Sequence, residues 1–112
     1  MKVLIVDDNE AMRRTIKTVI QDLVDEIAEC SSGSAALEHY TTFKPDWVLM
    51  DIKMKDIDGL TATREIKRSF ADARIVIVTS YDELGLREEA KEAGAQAYLL
   101  KDNLRELARL LR

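Results

Sequence analysis

The stretch VLIVDD, residues 3–8, sets an electrostatic problem and with it the fold. Val3, Leu4, Ile5 and Val6 form a continuous apolar run, as expected of a strand buried on both faces. The run ends in two adjacent aspartates, Asp7 and Asp8. Like charges this close repel, and more strongly where the dielectric is low. A chain that keeps them at the end of a buried strand must gain something from the charge.

The same grammar repeats along the chain. Asp7, Asp8 and Asn9 are candidate caps for a helix whose apolar positions Met12, Ile16, Val19, Ile20 and Leu23 follow helical spacing. Asp25 to Cys30 reads as a weaker strand centred on Ile27 and Ala28. Ser32-Gly33-Ser34 opens a second helix carrying Ala36, Leu37 and Tyr40. Pro45 stops it, and Trp47 to Met50 is another buried strand, ending in Asp51. After a loop, Gly59 lies near the start of a third helix with Leu60, Thr63, Ile66 and Phe70 facing inward. Ile75 to Val78 is a fourth strand ending at Thr79. Leu84 to Ala93 is a fourth helix, with Gly94 suited to its C-terminal cap. Gln96 to Leu100 is a fifth strand, ending at Lys101, and Leu104, Leu107, Ala108 and Leu111 make the inner stripe of a last short helix.

Strict βα alternation, five times over, predicts an α/β protein, (βα)5, with a doubly wound parallel five-stranded sheet and right-handed crossovers. Strand 2 is the least apolar and belongs at an edge. Strands 1, 3 and 4 belong in the centre, and the order 2-1-3-4-5 meets both demands.

The bulk numbers agree with one domain spanning 1–112. The apolar share of 46% and charged share of 34% are those of a globular protein rich in charge. A net charge of −4 argues against this domain gripping nucleic acid or anionic lipid itself. The single cysteine, Cys30, reads as a small apolar residue at a strand end, and the lone His39 as a surface residue in mid-helix. One cysteine allows no disulfide within the chain, which suits a reducing compartment. No apolar run approaches the roughly 20 residues of a membrane span, and the N-terminal run is too short for a signal peptide. A cytoplasmic location is expected.

Ligands of open α/β sheets bind beyond the carboxyl ends of the strands, at the point where strand order reverses. Here that point lies between strands 1 and 3. Asp7, Asp8, Asp51, Thr79 and Lys101 all reach this rim. Taken singly, an aspartate after a strand is an ordinary cap or turn residue; four strand ends delivering polar groups together are harder to dismiss. Three carboxylates balance one divalent cation plus the Lys101 ammonium. A hard cation with oxygen ligands and spare water positions fits, with Mg²⁺ the cellular candidate. Such ions commonly engage phosphate oxygens. A carboxylate can serve as nucleophile and form an acyl phosphate, and Asp51, alone on the central neighbouring strand, is the best placed.

These residues resemble a response-regulator receiver domain of two-component signalling, across essentially the whole chain. VLIVDDNEAMR is similar to the family's acidic-pair strand and following helix, and VLMDIKMKDIDG to its phosphoacceptor stretch, with Asp51, Met54 and Gly59 in register. IVIVTS matches the strand ending in a hydroxyl, at Thr79. GAQAYLLKD matches the strand with the switch aromatic and the lysine, at Tyr98 and Lys101. Two positions depart from the pattern: Lys55 and Asp102 stand where the family usually has proline.

The resemblance implies the flavodoxin-like receiver fold and a set of roles. Asp51 accepts a phosphoryl group from a sensor histidine kinase or phosphotransfer protein, in a reaction needing Mg²⁺ or Mn²⁺. Asp8 ligates the metal directly, Asp7 largely through water, and Asp51 and the Lys53 backbone carbonyl complete the protein ligands. Lys101 pairs with phosphoryl oxygens, Thr79 moves to hydrogen-bond one, and Tyr98 turns inward. That remodels the face of helix 4, strand 5 and helix 5. Apart from the resemblance, Lys53 and Tyr81, two residues beyond Asp51 and Thr79, are expected to border the site and to tune access of water to the phosphoryl group. YLLKD resembles receivers of helix-turn-helix transcription regulators, implying DNA contact only through an output domain absent from this chain, and a homodimer formed on phosphorylation. The chain stops at Arg112, which leaves room for the rest of a longer regulator. Two other readings stand beside this one. A Mg²⁺-dependent aspartyl-nucleophile phosphatase would place similar groups on strand ends, yet such enzymes usually carry the nucleophile after strand 1 in an Asp-x-Asp pattern. A receiver-like binding module that is never phosphorylated would not need the complete set. Carboxylates after strand 1 in place of a Ser/Thr-rich phosphate loop argue against a flavin site.

Overall fold

The computed structural model describes residues 1–111. Its elements are β1 (Lys2–Val6), α1 (Glu10–Ile20), β2 (Glu26–Cys30), α2 (Ala36–Phe43), β3 (Trp47–Met50), α3 (Gly59–Ser69), β4 (Ile75–Thr79), α4 (Leu86–Ala93), β5 (Ala97–Leu100) and α5 (Leu107–Leu110), with a 3₁₀ turn over Lys101–Glu106 before α5. The five strands form one parallel sheet in the order β2-β1-β3-β4-β5, as expected.

Alternation along each strand splits the core in two. Leu4, Val6, Val48, Met50, Ile75 and Ile77 pack against Ala36 of α2, Leu60 and Ile66 of α3 and Ala90 of α4. Val3, Ile5, Leu49, Val76, Val78 and Leu99 pack against Ile16 and Ile20 of α1, and Leu107 and Leu111 at the C-terminal end. Right-handed crossovers explain the division: β1 to β2 runs one way across the sheet, and every later connection runs the other way, so α2, α3 and α4 cover the face opposite α1. The reversal opens the crevice between β1 and β3.

Local chemistry sets the element ends. Among the three candidate caps before α1, Asn9 takes the role, its side chain accepting from the Met12 amide at 2.9 Å. Asp58 caps α3 through the Thr61 amide, also at 2.9 Å. Gly94 ends α4 in the left-handed conformation, φ 105°, as its position suggested. Leu23 lies beyond the end of α1, and α2 begins at Ala36 because the Ser32–Ser34 stretch is held by another loop. Leu84, expected within α4, precedes it and is fully exposed, since Gly85 at φ 92° turns the chain first. The last helix is also shorter than its apolar stripe suggested. Asn103, at φ −130° and ψ 43°, interrupts helical geometry, as a residue whose side chain competes for backbone hydrogen bonds readily does. His39, expected at the surface, is half-buried where α2 lies against β2. Among the described residues no helix is long and apolar enough to cross a membrane, and every peptide bond, including Lys101–Asp102, is trans.

Candidate functional site

The strand register builds the site. Val6 pairs with Met50, so Asp7 and Asp51 leave β1 and β3 side by side. Ladder bonding continues one residue further: the Asp7 amide donates to the Cys30 carbonyl at 3.0 Å, and the Asp51 amide to the Val6 carbonyl at 2.9 Å. Both carboxylates therefore project from fixed backbone, and both are buried, Asp7 at 1% exposure and Asp51 at 6%. Asp8, half-buried, turns to the same place. One carboxylate oxygen from each of Asp7, Asp8 and Asp51 lies within 4.8 Å of the others.

On the other side, Thr79 pairs with Leu100, so β5 delivers Lys101 to the same rim. Its Nζ stands 2.9 Å from Asp7 Oδ2 and 3.4 Å from Asp51 Oδ2. Burial pushes the Asp51 carboxyl above the ordinary carboxylate range, and the Asp7 charge adds to the push; Lys101 only partly offsets them. Burial works against the Lys101 charge as well, but the close carboxylates of Asp7 and Asp51 outweigh it and raise its pKa. With all groups ionised, three carboxylates against one ammonium leave the pocket with excess negative charge.

The remaining bonds show what is still free. Asp7 Oδ1 accepts from the Asn9 amide at 2.9 Å, Asp51 Oδ1 from the Ile52 amide at 2.9 Å, and Asp8 Oδ2 from the Lys55 amide at 3.2 Å. Asp7 Oδ2 is buried beside Lys101 yet lacks an aligned hydrogen bond. A buried carboxylate oxygen with unused acceptor capacity, in an all-oxygen set with net negative charge, fits a hard divalent cation of the Mg²⁺ type.

Thr79 is fully buried at the end of β4, and its Oγ1 accepts from the Tyr81 amide at 3.4 Å. Tyr98 donates its hydroxyl to the Tyr81 carbonyl, and the Arg87 guanidinium lies 4.7 Å from its ring centre. Lys53 is exposed on the loop after Asp51, with its Nζ 4.9 Å from the centre of the Tyr81 ring. The structure thus gathers Asp7, Asp8, Asp51 and Lys101 directly, while Thr79, Lys53 and Tyr98 each meet Tyr81.

Sequence reasoning put Gly59 in register without its physical reason, and missed Asp56 as a support of the loop after β3. Gly59 is required there: a Cβ would stand 1.8 Å from the Asp51 carbonyl oxygen, while the Gly59 amide donates to the Ile52 carbonyl at 2.8 Å. Asp56 reaches across to the Ser32–Ser34 stretch, whose donors hold its carboxyl far below the ordinary range. Asp56 looks like ordinary loop composition, and only the meeting of two loops distant in sequence reveals its work.

With this geometry in place, comparison with known proteins gives the class. The family model described as the response regulator receiver domain matches residues 3–112, and the chain belongs to that family. It is 38% identical over 103 residues to the response regulator protein VraR of Staphylococcus saprophyticus, covering 90% of this chain and 49% of that protein. It is also 38% identical over 101 residues to the chemotaxis protein CheY of Bacillus subtilis, covering 89% of this chain and 84% of the relative. A DNA-binding response regulator of the LuxR family from Staphylococcus aureus superposes with a TM-score of 0.88 at 26% identity, over 98% of this chain and 94% of that one. The chain spans about half the length of VraR, 49%.

Proposed function

We propose that the chain is a phosphoryl-accepting switch with Asp51 as acceptor. An Asp51 carboxylate oxygen attacks the phosphorus of a phosphohistidine on a sensor histidine kinase or phosphotransfer protein. The O–P bond forms as the P–N bond breaks, and the imidazole nitrogen leaves with the electron pair and takes up a proton. The observation that carries this reading is the position of Asp51: a buried carboxylate with Lys101 Nζ at 3.4 Å and two further carboxylates gathered beside it.

Asp7, Asp8 and Asp51, with the Lys53 backbone carbonyl, would hold one Mg²⁺ or Mn²⁺. Bound there, the ion supplies positive charge against the phosphoryl oxygens. Lys101 moves from its contacts with Asp7 and Asp51 to pair with a phosphoryl oxygen. Thr79 gives up the Tyr81 amide and donates its hydroxyl to another, and Tyr98 turns inward as it does so. This changes the α4–β5–α5 face, which passes the signal on.

Chemistry of the chain's own is then limited to self-phosphorylation from small donors and autodephosphorylation. Residues 1–112 belong to a single receiver domain of a cytoplasmic regulator whose output is transcription. DNA contact belongs to an output domain, and phosphorylation favours a homodimer. The likeness to VraR over half its length, and to a LuxR-family protein named as DNA-binding, supports that output.

Incubation with Mg²⁺ and acetyl phosphate tests the reading. It predicts an acid-labile adduct of one phosphoryl group that chelation of the metal prevents. Steady release of phosphate from many monoesters would instead indicate the phosphatase, and absence of any adduct a binding module.

A further inference from the structure

We infer that Asp56 is a positioning residue for the acceptor site, acting through the loop that joins β3 to α3. The inference rests on the metal-dependent acceptor reading above and extends it to a residue outside the acidic pocket.

Asp56 is exposed and touches none of the pocket carboxylates, yet its side chain is fully engaged. Oδ2 accepts from Ser32 Oγ at 2.8 Å and from the Ser34 amide at 2.9 Å, and Oδ1 accepts from the Gly33 amide at 3.1 Å. Ser32 Oγ also bonds Ser34 Oγ at 2.9 Å and accepts from the Ala35 amide at 3.2 Å. One carboxylate thus gathers three donors from the β2–α2 loop, and bonds of this charge-assisted kind are the stronger ones. The loops are also in close contact at Gly33, where a Cβ would stand 2.5 Å from the Ile57 carbonyl oxygen and 3.1 Å from Met54 Cε. Met54 and Ile57 flank the residue whose carboxylate makes the clamp.

The neighbouring residue carries the effect inward. The Lys55 amide donates to Asp8 Oδ2 at 3.2 Å, which fixes the least buried of the three pocket carboxylates. Lys53, two residues earlier, rests on Tyr81. The far end of the loop is already tied down at Gly59. Between these ends, beside the packing of Met54 and Ile57, the Asp56 clamp is the hydrogen-bonded side-chain anchor that holds the loop from which Lys55 reaches Asp8. It stands in place of rigidity that a proline at position 55 would supply, since Lys55 leaves φ free. Partners that orient metal-binding carboxylates typically govern affinity even without touching the ion.

The test compares Asp56→Ala, Asp56→Asn and wild type by two readouts. The first is the ¹H–¹⁵N amide spectrum without metal. Asp56→Ala should shift the Lys55 and Lys53 amides as well as Gly33 and Ser34, and Asp56→Asn, which keeps an acceptor oxygen, should restore much of the pattern. The second is calorimetric titration with MgCl₂ well below the unfolding temperature. The dissociation constant should rise by about three- to tenfold in Asp56→Ala, at or below the usual cost of losing an outer support, and by less in Asp56→Asn. Shifts confined to residues 32–34 and 57, or an unchanged Mg²⁺ affinity in Asp56→Ala, would overturn the inference. Failure of the wild type itself to bind Mg²⁺ would overturn the acceptor reading instead, while the amide shifts would still decide whether the clamp sets the loop. If Asp56→Ala proves too unstable, Ser32→Ala, which removes the hydroxyl donor alone, should give the same shifts in smaller measure.

Discussion

Asp7 Oδ2 and Lys101 Nζ stand 2.9 Å apart at the adjoining ends of β1 and β5's following turn, both largely removed from water. Asp51 shares the same ammonium at 3.4 Å. In this state the lysine is the counter-charge that makes the acidic pocket tolerable.

Removing that ammonium should therefore expose the cost. Lys101→Met is expected to lower stability without metal by about 3 kcal/mol, the scale for breaking a buried ion pair from one side. Mg²⁺ should then raise the urea midpoint of the variant more than that of wild type. Urea unfolding with and without MgCl₂ measures both effects, and equal metal-induced shifts would show that Lys101 does not substitute for the ion.

The raised pKa of Asp51 carries a sign. The folded state holds this proton more tightly than the unfolded chain, whose carboxyl titrates near its ordinary value. The contribution of Asp51 is thus most favourable below that ordinary value, and it is lost as pH rises through the window up to the folded pKa. Asp51→Asn removes the charge and the penalty together. Its stability relative to wild type, in metal-free urea titrations, should grow as pH rises from about 4 towards neutrality. A constant difference, or one that shrinks, would contradict the burial argument.

Gly59 should tolerate no side chain. A Cβ 1.8 Å from the Asp51 carbonyl oxygen must displace backbone on one side or the other. Gly59→Ala is expected to destabilise by about 3 kcal/mol, the upper part of the usual overpacking range. Chemical denaturation checks this, and a loss within experimental error would mean the loop after β3 yields easily.

Lys53 Nζ lies 4.9 Å from the centre of the Tyr81 ring, on the loops that follow Asp51 and Thr79. Lys53→Ala and Tyr81→Ala are expected to change the rate at which the phosphorylated protein loses its phosphoryl group. The double variant should differ from the sum of the two, with a coupling of about 0.5 kcal/mol for an exposed contact of this kind. Unchanged decay in both single variants would remove them from the site.

Much of this was legible in the sequence because buried parallel strands write themselves as unbroken apolar runs. VLIV, WVLM and IVIV fixed three strands and their polar successors, and the weak strand around Ile27 fixed the edge. The rim residues followed, since any residue after a strand in this topology reaches the same end of the sheet. Less legible were features that depend on two loops meeting. Asp56 on the Ser32–Ser34 stretch, and the Lys55 amide on Asp8, have no periodicity to announce them. The helix ends were also harder, because Gly85 and Asn103 act through backbone conformation while the apolar stripe runs on through Leu84 and Leu104.

The most direct test of the account is chemical trapping of the acceptor. Protein incubated with Mg²⁺ and acetyl phosphate, then reduced with borohydride, should carry homoserine in place of aspartate at position 51, located by peptide mass spectrometry, and Asp51→Asn should yield none. Homoserine at Asp7 or Asp8 instead, or an adduct that persists in Asp51→Asn, would contradict the account.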